Sequence, residues 1–183
     1  MSLHASAVET LRGWRAPDPG QDTLRHAVLA FLAARPDGCL RECEPGHVTG
    51  SALVLDHTGS QALLTLHPRV GRWLQLGGHC EPTDDTIVAA ALREAAEESG
   101  IDGLRIDPVL AALHVHPVTC SLGVPTRHLD MQFIVHAPEG AEISCSDESL
   151  DLRWWPLDAL PDDRDFGLRQ LVISARKRAL SER

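Results

Sequence analysis

Three glutamates near the middle of the chain have the spacing that most directly indicates chemistry. Glu94, Glu97 and Glu98 stand at positions i, i+3 and i+4, so in a helix they share one face of its last turns. Three carboxylates on one face repel one another, and the negative end of the helix dipole adds to that repulsion. A divalent cation would relieve both, since Mg²⁺ prefers carboxylate oxygens. The alternative is a solvated acidic helix end, which is how most charge runs are used.

The residues before the glutamates favour the metal-binding interpretation. Residues 87–92 are apolar on nearly every side, which predicts a buried helix from which the acidic end emerges. Asp84 and Asp85 stand at its start, where carboxylates cap free amide groups. Gly77 and Gly78 precede them and allow the backbone to approach a ligand closely. This combination predicts a metal site between a glycine loop and a helix.

Residues 77–101 read GGHCEPTDDTIVAAALREAAEESGI, and this stretch resembles the signature of the Nudix hydrolase family. In that signature a glycine and a spaced acid precede the pattern Arg-Glu-x-x-Glu-Glu-x-Gly. The corresponding residues here are Arg93, Glu94, Glu97, Glu98 and Gly100. The flanking strands and residues 148–161 resemble the same family, so the resemblance covers most of residues 47–180.

The resemblance implies an α/β (α+β) fold in which a mixed β-sheet is sandwiched between helices. It implies a metal-dependent hydrolase that cleaves the diphosphate bond of a nucleoside-diphosphate-linked small molecule. The three glutamates would bind Mg²⁺ or Mn²⁺, and the carbonyl of Gly77 would complete the coordination shell. The general base would be either Glu98 or, from a distant loop, Glu148. The candidate catalytic residues are therefore Arg93, Glu97, Glu98 and Glu148.

The acid before the helix departs from the family pattern. The family has a glutamate six residues after the second glycine, Gly78, where this chain has Asp84. The interval from Asp84 to Arg93 is one residue longer than usual, so Asp85 is an alternative. Either aspartate would pair with Arg93 and support the loop rather than carry the chemistry. Gly100 stands where a glycine would end the helix.

Several polar residues outside the signature are candidates for substrate binding. His79, beside the glycine pair, is placed to contact a phosphate. Arg69 and Arg72 precede the loop and could offer charge to an anionic substrate, although a solvated turn is an equal interpretation. Three further histidines could gather across neighbouring strands, and we predict a structural role for them: His114, His116 and His128.

Bulk properties restrict the class of partner. The chain has 183 residues, of which 43% are hydrophobic, and a formal net charge of −9 at pH 7. A net negative protein is not suited to non-specific nucleic-acid binding, which needs a basic face. The chain has no membrane-span pattern, no signal-peptide pattern and no CxxC pair. We therefore expect a cytoplasmic protein with reduced thiols that acts on a small molecule, and the family resemblance also allows a homodimer.

Hydrophobic periodicity predicts the elements that position these residues. Residues 1–46 would form an N-terminal helical extension, with helices over 3–15 and 22–34 and an irregular linker over 39–50. The Nudix hydrolase domain would occupy residues 47–183. Its predicted strands cover 51–57, 61–67, 72–78, 107–118, 128–137 and 152–157, and its helices cover 86–99 and 165–180. Strands and helices in this order predict a layered mixed sheet.

Two other functions remain open at this stage. A catalytically silent Nudix-fold sensor would bind a nucleotide or nucleotide sugar without cleaving it, but the presence of all three glutamates favours catalysis. An isomerase on this fold, such as an isopentenyl diphosphate isomerase, would need a reactive cysteine, for which Cys80 lies beside the glycine pair. The sequence does not identify the substrate.

Overall fold

A computed structural model describes residues 1–119, 123–146, 149–164 and 166–181. The helices are α1 (Leu3–Gly13), α2 (Pro19–Ala34), α3 (Ile87–Ser99) and α4 (Phe166–Ser181), and the strands are β1 (His47–Leu55), β2 (Gln61–His67), β3 (Arg72–Leu74), β4 (Leu76–His79), β5 (Arg105–Thr119), β6 (Pro125–His136) and β7 (Asp151–Pro156). The side chain of Thr86 caps α3 by accepting the amide of Ala89. Gly100, with a φ of 67°, ends α3 as predicted.

Seven strands form one mixed sheet. Its main path runs β3-β2-β1-β6-β5, while β4 pairs with β1 and β7 pairs with β2. β1 and β6 are parallel from His47 opposite His128 to Leu55 opposite His136, and the other pairs are antiparallel. This register brings the first residues of β1 and β6 and the last residues of β4 to the same end of the sheet.

Helices cover both faces of the sheet. α3, with α1 and α2, packs against one face, where Val48 and Phe133 join Ala91 in a buried core. α4 packs against the other face over Leu53 and Ile134. The predicted sheet between helices is therefore confirmed. Within the part of the chain that the structure describes, no helix combines the length and hydropathy needed to cross a membrane.

The N-terminal helices share the core that lies under α3. Leu11 of α1 and Leu32 of α2 are fully buried in it, and each such side chain contributes about 1.5–3 kcal/mol by burial. The hydroxyl of Ser6 accepts the amide of Ile87 at 3.2 Å, at the first residue of α3. The helices therefore pack onto the element that carries the glutamates, and the domain boundary at residue 46 stays a prediction.

Two predicted elements were wrong in detail. β1 begins at His47, so residues 47–50 belong to the sheet and not to a linker. The start of this strand was not predicted because polar residues occupy alternate positions in it. These residues lie on a polar part of the sheet and not in its apolar core. The predicted strand over 72–78 is interrupted at Gln75, because β3 pairs with β2 whereas β4 pairs with β1.

Candidate functional site

Arg93 is the centre of an acidic cluster where the glycine loop meets α3. Its Nε and Nη2 atoms each donate to Asp84 at 3.0 Å. Its Nη1 atom donates to Glu94 at 3.0 Å and to Glu97 at 2.9 Å. Nη2 also donates to the carbonyl of His79 at 3.0 Å. One guanidinium thus ties the end of β4, the following loop and α3 together.

The glycine pair brings β4 against the glutamates. Gly78 lies beside Glu94, since a Cβ at Gly78 would stand 2.5 Å from a carboxylate oxygen of Glu94. Gly77 has a φ of 144°, and its amide donates to Glu98 at 2.8 Å. A Cβ at Gly77 would stand 2.4 Å from the Cα of Ser51 on β1. Glycine is therefore required at Gly77 by backbone conformation and by close approach, whereas a side chain at Gly78 would displace the Glu94 carboxylate.

The cluster carries an excess of negative charge, because three carboxylates contact the Arg93 guanidinium, those of Asp84, Glu94 and Glu97, and a fourth, that of Glu98, accepts from the Gly77 amide. Glu98 is only 8% exposed, whereas the side chain of Glu97 is 60% exposed. Carboxylate oxygens are the ligands that Mg²⁺ and Mn²⁺ prefer, so these residues fit the cation that the family resemblance implies. In the structure they do not converge on one point, because Arg93 holds Glu94 and Glu97 while the Gly77 amide holds Glu98.

The structure distinguishes the two aspartates before α3. Asp84 pairs with Arg93 and also accepts the amide of Glu81 at 2.8 Å, whereas Asp85 is exposed. Burial opposes ionisation of Asp84, but the hydrogen bonds from Arg93 and from the Glu81 amide outweigh it and hold its pKa below the usual value. Asp84, and not Asp85, is therefore the aspartate that pairs with Arg93.

The face of the sheet under α4 also has a polar part, at the starts of β1 and β6. Asp130 is buried there. It accepts hydrogen bonds from Thr49 at 3.1 Å, Ser51 at 2.7 Å, Gln132 at 2.9 Å and Gln75 at 3.3 Å. The side-chain oxygens of the two glutamines are buried and find no hydrogen-bond partner among the described residues. Burying such acceptors is costly unless a polar ligand meets them.

Three histidines meet at the edge of this polar surface: His47 on β1, His79 on β4 and His128 on β6. Their ring centroids are 4.9 to 5.0 Å apart. Burial lowers the pKa of all three, to about 4 for His79 and about 3 for His128, and the positive charge of Arg41 adds to the effect. The rings are therefore neutral at pH 7.

The histidines that we expected to gather across strands do so. The ring of His116 lies 5.3 Å from that of His128 and 5.0 Å from that of His114. His47 was not among the predicted site residues, because it fell in the predicted linker. The polar alternation of residues 47–51 was the signal that could have identified it as part of a strand.

The remaining predicted site residues take different positions. Arg69 and Arg72 are exposed at the turn between β2 and β3. The charge of Arg69 contributes to the lowered pKa of His79, which places this arginine within electrostatic reach of the histidines. Because burial lowers its pKa to about 4, the His79 ring is neutral at pH 7 and offers no positive charge to an anion. Glu148 lies outside the described residues.

Cys80 does not have the environment of a reactive thiol. It is buried, and its Sγ donates to the carbonyl of Val48 at 3.6 Å. Burial raises the pKa of this thiol well above its usual value, whereas reactive cysteines are partly exposed and have lowered pKa values. The isomerase alternative therefore loses its reactive cysteine.

Known proteins resemble this chain in sequence and in fold. The family model described as the NUDIX domain matches residues 45–174. No curated protein matches the chain significantly. The C. elegans Ap4A hydrolase, in a binary complex, is 18% identical with a TM-score of 0.56, over 74% of this chain and 98% of that one.

Two bacterial structures resemble the chain to a similar degree. A NUDIX-family hydrolase from Clostridium perfringens is 22% identical with a TM-score of 0.55, over 74% of this chain and 97% of that one. The E. coli dihydroneopterin triphosphate pyrophosphohydrolase is 21% identical with a TM-score of 0.55, over 68% and 91% of the two chains. At these identities the structures show a shared fold, and the family match supports a Nudix-type pyrophosphohydrolase.

Proposed function

This chain belongs to the NUDIX domain family, and we propose that it is a pyrophosphohydrolase that uses Mg²⁺ or Mn²⁺ to cleave a nucleoside-diphosphate-linked small molecule. The observation that carries this proposal is the cluster of four carboxylates around Arg93 and the glycine pair. The cluster has the donor type and the excess negative charge that a hard divalent cation requires. The exposed carboxylate of Glu97 gives it access to solvent.

The proposed roles follow from the contacts of each side chain. A bound cation would offset charge on the diphosphate and lower the pKa of an attacking water. Glu94, Glu97 and Glu98 would hold the cation together with the carbonyl of Gly77. The Gly77 amide orients Glu98 toward the glycine loop, which supports Glu98 as the general base, with Glu148 as the alternative.

The substrate would lie along the end of β4. The carbonyl of His79 accepts from Arg93, while its ring joins the polar surface on the other face of the sheet. A substrate whose diphosphate lies near the glycine loop could therefore place a hydrogen-bond donor, such as a ribose hydroxyl, against the buried amide oxygens of Gln75 and Gln132. Arg69 would contribute positive charge beside it. A small molecule suits this surface and the net charge of −9; a cytoplasmic location and a homodimer stay predictions.

The test is product analysis with a panel of ADP-ribose, other nucleotide sugars, nucleoside triphosphates and dinucleoside polyphosphates, with Mg²⁺ or Mn²⁺. We expect the wild type to cleave at least one of them at a diphosphate bond and Glu97→Gln to lose this activity. Glu139→Gln, at an exposed glutamate in a turn after β6, is the matched control. If the wild type binds a panel compound and cleaves none, the hydrolase proposal is wrong and the sensor alternative replaces it.

A further inference from the structure

We propose that His47, His79 and His128 together bind one transition-metal ion of the Zn²⁺ class, at a site separate from the carboxylate cluster. Imidazole nitrogens suit Zn²⁺, Co²⁺ and Ni²⁺, whereas Mg²⁺ prefers oxygen ligands. Three histidines are a sufficient protein ligand set for Zn²⁺, and they keep a fourth position for water or another oxygen. The assignment does not depend on the proposed hydrolase activity.

The register of the sheet brings the three histidines together. His47 is directly opposite His128 in the parallel pair of β1 and β6. His79 is opposite Thr49, two residues further along β1, in the antiparallel pair with β4. Because side chains alternate between faces, all three lie on the same face. Positions on paired strands are held more rigidly than positions on loops, which favours a defined ligand geometry.

The rings are close enough to share one ion. One ring nitrogen from each histidine lies within 4.8 Å of the other two, and among the described residues this is the one such group of His, Cys, Asp or Glu side chains. Nitrogens at about 2.0–2.1 Å from a tetrahedral Zn²⁺ stand roughly 3.3 Å apart. The rings are tilted by 40°, 53° and 90° rather than stacked in parallel. Small side-chain rotations would therefore bring the three nitrogens to a common point.

The hydrogen bonding of His47 is a second, independent observation. His47 is 1% exposed, and its Nδ1 lies 3.4 Å from the carbonyl of Cys43. A carbonyl can only accept, so Nδ1 carries the proton and Nε2 presents a lone pair. Nε2 is buried and finds no hydrogen-bond partner among the described residues, and the same holds for Nε2 of His128. A ring N–H on a backbone carbonyl with the other nitrogen turned inward is the usual support of a metal-bound histidine.

The site is distinct from the carboxylate cluster. Glu94 approaches Gly78 from the side of α3, whereas the ring of His79 lies on the opposite face of the sheet with Thr49.

The test is a titration of untagged, chelator-treated protein with Co²⁺, followed by its visible d–d absorption. We expect the wild type to bind one equivalent in a site of low coordination number, to release it to Zn²⁺, and to retain it in excess Mg²⁺. His79→Gln and His128→Gln should each weaken binding by roughly tenfold or more. His136→Gln, on the same strand β6 but away from the cluster, is the matched control and should bind as the wild type does.

Two further results bear on the assignment. Glu98→Gln should leave the Co²⁺ band unchanged, so loss of the band in that variant would overturn the proposal by placing the ion at the carboxylates. X-ray absorption of the Zn²⁺-loaded wild type should show three imidazole ligands, and this needs no variant to fold. Absence of a Co²⁺ band, unchanged binding in both histidine variants, or fewer than three imidazoles would mean that the histidines only pack against one another.

Discussion

Arg93 and Asp84 form a bidentate ion pair in which Nε and Nη2 of the guanidinium each lie 3.0 Å from a carboxylate oxygen. A turn closed by the amide of Asp84 on the carbonyl of Glu81, at 3.0 Å, presents the aspartate to the helix. Aspartate is one methylene shorter than the glutamate of the family signature. The longer interval before Arg93 and this turn together keep the pairing, so the departure from the signature does not disconnect the loop from α3.

The ion pair predicts different effects for the two neighbouring aspartates. Asp84→Asn should lower the free energy of unfolding by about 1–3 kcal/mol, because it removes the bidentate one of the three carboxylate partners of Arg93, whose side chain is 22% exposed. Asp85→Asn should change it by less than about 0.5 kcal/mol, since Asp85 is exposed. Urea unfolding of the two variants measures both. A larger effect at Asp85 would contradict the assignment of Asp84.

Substitution of a glutamate in the carboxylate cluster should reduce turnover while the protein stays folded. Glu97→Gln should lower kcat by about 10²–10³-fold, while its melting temperature stays near that of the wild type because the side chain is 60% exposed. Glu98→Gln should lose at least as much activity. Steady-state kinetics across a range of Mn²⁺ concentrations, with Glu139→Gln as control, measures this. If both variants retained turnover, the carboxylate cluster would have no role in catalysis.

A comparison of Gly77 with Gly140 separates the free-energy cost of backbone strain from the cost of close atomic approach. Gly77→Ala should lower the free energy of unfolding by about 3 kcal/mol or more, because its Cβ would stand 2.4 Å from Ser51. Gly140 also has a positive φ, of 72°, but a Cβ there would meet nothing within 4 Å. Gly140→Ala should therefore show the strain alone, about 1–2 kcal/mol. Equal losses in urea unfolding would mean that β4 moves away from β1.

The hairpin between β1 and β2 predicts a pH-dependent contribution to stability. Asp56 accepts the amides of Ser60 at 2.7 Å and Gln61 at 2.8 Å. Burial opposes its ionisation, but these bonds and the Thr58 hydroxyl hold its pKa below 3.8. Its contribution is therefore present above pH 3.8 and is lost as the pH falls through the folded-state pKa.

Asp56→Asn tests this sign. The variant should melt at a lower temperature than the wild type at pH 7, and the difference should shrink as the pH falls below about 4, because the wild-type carboxyl is then protonated as well. Thermal unfolding of both proteins from pH 7 to pH 3 measures the difference. A gap that widens with acidification would refute the role assigned to this carboxylate.

Helix α2 contacts strand β5 through Gln21, and this contact should stabilise the fold. The side-chain amide of Gln21 accepts the amide of Leu113 at 2.7 Å and donates to its carbonyl at 2.9 Å. β5 is an edge strand, so Gln21 satisfies backbone groups that would otherwise face outward. Gln21→Ala should cost about 1–3 kcal/mol in urea unfolding, against little change for Thr23→Ala, which is exposed on the same helix. If the two variants had equal free energies of unfolding, water would be replacing the Gln21 side-chain amide at β5.

Residues 77–100 were predictable from the sequence alone, because the features that define them are local. Glycine backbone freedom, helix capping and the 3.6-residue period act over a few residues. Contiguous positions therefore predicted the loop, α3 and its terminating Gly100, and they predicted which glutamates share a face. The same local patterns located most of the strands, since apolar alternation marks a buried face.

Only the tertiary structure decided which aspartate meets Arg93 and which histidines meet one another. Asp84 and Asp85 are chemically equivalent, and the path of the loop selects between them. His47, His79 and His128 are far apart in the chain and come together through strand register. Register depends on long-range backbone pairing, and a shift of one residue would send each ring to the other face.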